Sequence, residues 1–232
     1  MPKKSAHKSR RHTPSPFFMI ATAIIGTLLV GAAALRVGLG PAAPGLHLPG
    51  GQARTLPGLS TYGISGSFGD LSAADLTKRL ADIHATGASW IRYDLNWGHV
   101  QLAGPSSFDW SVPDRVTTAA HDQGLEVVMT IDLTPPWQRV PGCNQGERCA
   151  PQDPDAYAAF AAAAVTHYLS YGVHVWEIWN EPNIAYRFGP ATDPIKYTKM
   201  LTRASARIRQ ADPTATIIAA STAPASSKHG DL

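Results

Sequence analysis

The chain has 232 residues, 44% of them hydrophobic, which is enough for one domain with a sizeable core. Its net charge is +3, but residues 1–16 hold Lys3, Lys4, Lys8, Arg10 and Arg11 and no acid, so the rest of the chain carries −2. A body that close to neutral argues against a nucleic-acid partner. No phosphate-cradling glycine loop and no Cys/His cluster with metal spacing occurs, so neither a metal nor a cofactor is expected.

Residues 17–35 form an uncharged, mostly apolar run of 19 residues. As a helix rising about 1.5 Å per residue the run spans roughly 28 Å, close to the thickness of a bilayer core. The basic tail, residues 1–16, precedes it, which predicts a cytoplasmic amino terminus and export of the remainder. The run is either a retained transmembrane anchor or a signal peptide cleaved near Ala32, Ala33 and Ala34, and its length favours the anchor. In both cases the expected location is extracytoplasmic, membrane-anchored or secreted. Residues 36–59 are rich in Gly and Pro, have no apolar period and read as a linker. Residues 60–232 are the expected folded domain.

A short strand over residues 62–68 opens that domain. Ser72 caps a helix with Asp75 three residues on, Leu76, Leu80 and Ile83 keep helical spacing, and Gly87 stops it. A second strand runs over residues 90–97. Ser111 and Asp114 make another cap pair before Val116, Ala119 and Ala120, and Gly124 ends that helix. The third strand covers residues 126–133, and a loop over residues 134–152 carries Pro135, Pro136 and Trp137. Asp153-Pro154 opens a third helix with an apolar face of Tyr157, Phe160, Ala161, Ala164 and Tyr168. A fourth strand is followed by a helix opened by Asp193-Pro194 and a fifth strand over residues 216–220. Strands alternating with amphipathic helices imply a parallel α/β sheet, in a barrel or a doubly wound fold. The absence of a Gly-rich fingerprint after the first strand weighs against a dinucleotide-binding fold.

The most informative stretch is residues 173–183, V-H-V-W-E-I-W-N-E-P-N. It begins as a β-branched and aromatic strand, and Pro182, which has no N–H to donate, predicts a stop near Glu181. Asn180 and Glu181 then stand at the carboxyl end of a hydrophobic strand, where functional groups gather in parallel sheets. Trp97 and Trp137 are candidates to offer an aromatic face to a ligand, with core packing the alternative; for Trp179 packing is favoured. Asp94 and Asp132 read as hydrogen-bond partners at the strand ends. Glu177 lies about 13 Å before Glu181 at strand rise, too far for the two carboxylates to act side by side along the same strand.

The segment W-E-I-W-N-E-P-N, residues 176–183, resembles the fourth-strand motif of the clan A glycoside hydrolases. These are retaining (β/α)8-barrel glycosidases that include the cellulase family (family 5) and the β-xylosidase family (family 39). Arg92 on the second strand and the Pro-Pro-Trp loop fall in the family's order. The resemblance implies a TIM-barrel fold and Glu181 as the general acid/base. Asn180 would bond the sugar 2-hydroxyl, and Arg92 would sit beneath the nucleophile and hold it ionised. Retention needs a second carboxyl roughly 5–5.5 Å from the first; in the family it is a Glu on the seventh strand. Five strands are read here, and a full barrel takes about 250 residues. The expected fold is therefore the first half to five-eighths of a (β/α)8 barrel, preceded by one transmembrane or signal helix.

The function so implied is hydrolysis of O-glycosyl bonds in a polysaccharide or glycoside, by a shortened form whose nucleophile is missing. The alternative is a non-catalytic, membrane-anchored carbohydrate-binding or interaction protein on the same half-barrel. The partners implied are a carbohydrate substrate, the membrane and a second chain completing the barrel, whose open sheet edges would invite one. Cys143 and Cys149 are the only cysteines; they bracket a short polar loop and are expected to pair in an oxidising compartment.

Overall fold

The structure, a computed structural model, describes residues 62–224. The basic tail, the apolar run and the linker lie outside the described residues. Among the described residues no helix is long and apolar enough to cross a membrane.

Five strands form one sheet: β1 (Gly63–Ser65), β2 (Trp90–Asn96), β3 (Glu126–Asp132), β4 (Val175–Ile178) and β5 (Thr216–Ala219). Between them run α1 (Ala73–Ala85), α2 (Ser111–Asp122), α3 (Pro154–Tyr168) and α4 (Pro194–Ala211). Every pairing is parallel and the spatial order is β1-β2-β3-β4-β5. A doubly wound fold reverses its strand order at a switch point. This sheet adds each strand beside the last, which is the winding of a barrel. Among the described residues β1 and β5 each keep one edge without a strand partner.

The two sheet faces follow the period of two. Ile91, Tyr93, Leu95, Met129, Ile131, Trp176 and Ile178 are buried in a core shared with Leu76, Leu80, Val116, Tyr157, Phe160, Met200 and Ala204 of the helices. The residues between them, Arg92, Asp94, Asn96, Thr130, Asp132 and Glu177, make the other face polar at its carboxyl end.

Local capping chemistry sets most boundaries. Ser72 accepts the Asp75 N–H at 3.1 Å and its hydroxyl donates back to the Asp75 carboxylate. Gly87 stops α1 with φ of +89°, a region that favours glycine. Asp153 and Asp193 cap α3 and α4, each followed by a proline that gives up only an N–H the first turn leaves unbonded. The cap expected at Ser111 is not made. Trp110 precedes the helix without a side-chain cap, and the Ser111 N–H goes to Asp109 Oδ1 at 3.0 Å. Asp114 is engaged instead with His167 Nε2 at 2.8 Å, which ties α2 to α3.

Candidate active site

The site lies where β2, β3 and β4 end. β4 stops at Ile178, three residues before the point the proline suggested, because Trp179 takes a left-handed backbone with φ of +70°. Glu181 follows at +51°, and Leu133, just past β3, at +63°. Such backbone costs a non-glycine residue roughly 1–2 kcal/mol and persists where its surroundings hold it. Here the Trp179 N–H donates to the Ile131 carbonyl at 3.0 Å, and its indole donates to the Arg187 carbonyl at 3.0 Å. The Glu181 N–H donates to the Ser221 carbonyl beyond β5 at 2.9 Å. Three strand ends thus fix one kinked turn.

That turn sets Asn180 and Glu181 to different partners. Asn180 Oδ1 accepts from Arg92 Nη2 at 3.2 Å. Arginine has only donors, so the accepting atom is the amide oxygen, and the amide nitrogen is left to donate elsewhere. Glu181 Oε2 lies 3.2 Å from Arg187 Nε, and both side chains are partly exposed.

Below them Arg92 and Glu177 form a buried pair, Nε to Oε2 at 2.5 Å. Glu177 also accepts from Thr130 Oγ1 at 2.7 Å and from the Ser221 N–H and hydroxyl at 3.0 and 2.7 Å. Burial pushes its carboxyl up, but the hydrogen bonds from Arg92, Ser221 and Thr130 outweigh that and hold it below the usual range. Arg92 completes its fork with Asp94 Oδ1 at 3.0 Å. Every lone pair of Glu177 is engaged, so this carboxylate positions Arg92, which in turn orients Asn180.

Of the two candidate stacking rings, Trp97 takes the packing alternative. Trp97 is fully buried, because β2 turns into a single helical turn, Trp97–Val100, that swings the ring under α3. There it stacks on Phe160 at 5.5 Å and meets Trp137 and Tyr157 edge-on. Trp137 donates its indole N–H to the Gln101 carbonyl at 2.8 Å and lines a surface hollow with Phe108, Ala156 and Phe160, apart from Glu181 and Asn180. Trp179 is buried, as its packing role required.

Cys143 and Cys149 are disulfide-bonded, their Cα atoms 5.9 Å apart. A loop this short gains on the order of 2 kcal/mol from closure. Its greater effect is local. The Glu147 carbonyl accepts the Thr134 N–H and the Glu147 carboxylate accepts from Asn96 Nδ2 at 3.1 Å, while the Arg148 carbonyl accepts the Gly189 N–H at 2.9 Å. The disulfide loop therefore spans the ends of β2 and β3 and the loop that carries Arg187. A Cβ at Gly189 would meet the end of the Gln145 side chain, which would have to move, and would lie 3.0 Å from the Cys143 sulfur.

Four residues of the site, Arg187, Glu147, Thr130 and Ser221, had no motif to mark them. Thr130 and Glu177 did carry a signal, each being a lone polar residue inside an apolar strand. Among the described residues no group of His, Cys, Asp and Glu could hold a metal ion.

The sequence profile of the cellulase family (glycosyl hydrolase family 5) matches residues 50–230. The chain belongs to this family. None of the curated proteins matches the family 5 chain. Among solved structures it is similar to a family 39 glycoside hydrolase from Bacteroides cellulosilyticus WH2, with a TM-score of 0.54 and 23% identity over 67% of this chain and 31% of the other. A monomeric β-xylosidase from Caulobacter crescentus CB15 gives 0.55 and 20%, over 67% of this chain and 34% of the other. Endoglucanase Cel5A from Thermotoga maritima gives 0.50 and 21%, over 68% and 52%. These likenesses show the barrel-type fold, and the family 5 chain spans about a third of the length of the first two.

Proposed function

We propose that this chain carries the acid/base half of a retaining glycoside hydrolase acting on O-glycosyl bonds of a polysaccharide or glycoside. The observation that carries the reading is the family match together with Asn180 and Glu181 on a held turn at the end of the fourth strand. Glu181 protonates the leaving oxygen in the first step and takes a proton from water in the second. Asn180, its oxygen held by Arg92, offers its amide nitrogen to the sugar 2-hydroxyl, a contact that strengthens in the transition state. Glu177 is fully bonded and keeps Arg92 in place. The nucleophile is proposed to come from further strands that close the barrel, in the same chain or in a second one.

The domain is proposed to work outside the cytoplasm, tethered by residues 17–35 or released from them. The disulfide fits that compartment. The test is proton NMR of aryl β-glucoside, β-xyloside or β-mannoside hydrolysis by a form whose barrel is closed. The β-anomer should form first. First release of the α-anomer, or no turnover of any of the three, would overturn the reading.

A further inference from the structure

Arg187 joins Glu181 to a second pair of side chains. Its Nε faces Glu181 Oε2 at 3.2 Å, and its Cζ lies 5.9 Å from the centre of the Tyr186 ring. Arg148, on the disulfide loop, sets its Cζ over the same ring at 4.6 Å. Glu181, Arg187, Tyr186 and Arg148 thus make one continuous row of contacts from the end of β4 to the disulfide loop. Tyr186 is 58% exposed, so its ring is open to a ligand. The two arginines differ in their partners. Arg187 has the Glu181 carboxylate. Arg148 is partly exposed, its Nε is covered, and among the described residues its guanidinium meets no hydrogen-bond acceptor. The adjoining Glu147 turns elsewhere, to Asn96 Nδ2 at 3.1 Å and His99 Nε2 at 3.7 Å. Arg92 is committed to Glu177, Asp94 and Asn180, and Arg139 gives its Nε to the Thr134 carbonyl. A guanidinium carries five N–H donors, and drawing it partly out of water with nothing to bond is costly. Resting on an aromatic face offsets only part of that cost.

We propose that Tyr186 and Arg148 form the leaving-group subsite, and that Arg148 selects a leaving sugar that bears a carboxylate, a uronic acid residue. The proposal rests on the glycosidase reading and names a substrate class for it. The position follows from the turn at the end of β4. Asn180 is turned to Arg92 and marks where the retained sugar lies, whereas Glu181 is turned to Arg187. Because Glu181 protonates the glycosidic oxygen, the departing sugar lies against its side of the turn. Tyr186 offers that sugar an exposed ring for its apolar face. The class follows from charge and shape. Arg148 is the one arginine of this row without an acid, and the planar guanidinium fork matches a carboxylate.

The test uses the full 232-residue chain and three disaccharides: cellobiouronic acid, its methyl ester and cellobiose. The acid carries its carboxylate on the non-reducing sugar, the one that follows the cleaved bond. Calorimetry should show the acid binding about tenfold or more tighter than the ester or cellobiose, the scale of a charge-assisted hydrogen bond. In Arg148→Gln the acid should fall to the level of its ester, while cellobiose binds as to wild type. In the wild-type chain the Arg148 Nε–H resonance should move on adding the acid and not on adding its ester, a readout that needs no variant to fold. Equal binding of acid and ester by wild type would overturn this inference. So would an advantage of the acid that persists in a folded Arg148→Gln, or an Arg148 resonance that does not respond. The glycosidase reading is judged separately, by turnover in the closed-barrel form, and none of these binding results alters it.

Discussion

Replacing Glu181 by Gln is expected to lower turnover by roughly 10²–10⁴, the usual contribution of a positioned acid or base. The loss should depend on the leaving group. An alkyl glycoside needs its oxygen protonated, and the amide of Gln cannot supply a proton, so the first step should slow most. An aryl glycoside with a good leaving group departs unaided, and the intermediate should then form and persist, because the same carboxylate is absent when water must be activated. A burst of aryl alcohol followed by slow steady release is the expected trace. The assay belongs in a form with a closed barrel, since the sugar must be held in place for either step. A variant that kept its full rate on an alkyl glycoside would remove Glu181 from the mechanism.

The second large effect is on stability. Arg92→Met should cost about 3–5 kcal/mol, the penalty for leaving one member of a buried ion pair without the other. Arg92 Nε sits 2.5 Å from Glu177 Oε2, with the two side chains 18% and 4% exposed. The Thr130 and Ser221 hydrogen bonds would remain, but no cation would face the carboxylate. The dependence on pH follows from the direction of the Glu177 shift. Its carboxyl is held below the ordinary range in the folded state. The stabilisation is therefore present above the unfolded value and is lost as the pH falls through the folded one. In Arg92→Met burial is opposed less, so acid should cost the variant less stability than wild type. Urea titrations at pH 7 and near pH 4 check both points. Adding Glu177→Gln to Arg92→Met should restore much of the loss, the non-additivity expected of contacting groups. A single variant within about 1 kcal/mol of wild type would contradict the assignment of this pair as the base of the site.

The parts of this fold that were legible are those written in neighbouring residues. Ser72 with Asp75, Gly87, Asp153-Pro154 and Asp193-Pro194 each state a helix boundary within a few positions, and the structure keeps all of them. Ser111 failed because a competitor two residues earlier, Asp109, captured its N–H. Whether the sheet was wound as a barrel is a long-range property, since both windings share the same alternation of strand and helix. The order β1-β2-β3-β4-β5 decided it. At the site, Asn180, Glu181 and Arg92 were marked by the family motif. The left-handed turn at Trp179 and Glu181 was not, because bulky residues do not advertise positive φ and the turn is imposed by Ile131 and Ser221 on other strands. For Trp97 the residues leave stacking on a ligand and packing both open, and the structure takes the packing alternative: the chain leaves the strand at Asn96, and the ring finds α3.

The assignment of Glu181 as acid/base is tested most directly by azide acting on Glu181→Ala with an aryl β-glycoside. Water needs the Glu181 carboxylate to remove its proton in the second step, whereas azide is already an anion and needs none. With a good leaving group the first step proceeds without the acid, so the intermediate is available to either nucleophile. The account predicts that azide restores the rate of the variant, leaves wild type unchanged and yields the β-glycosyl azide. A variant whose rate and products do not respond to azide, or that yields the α-azide, would contradict it.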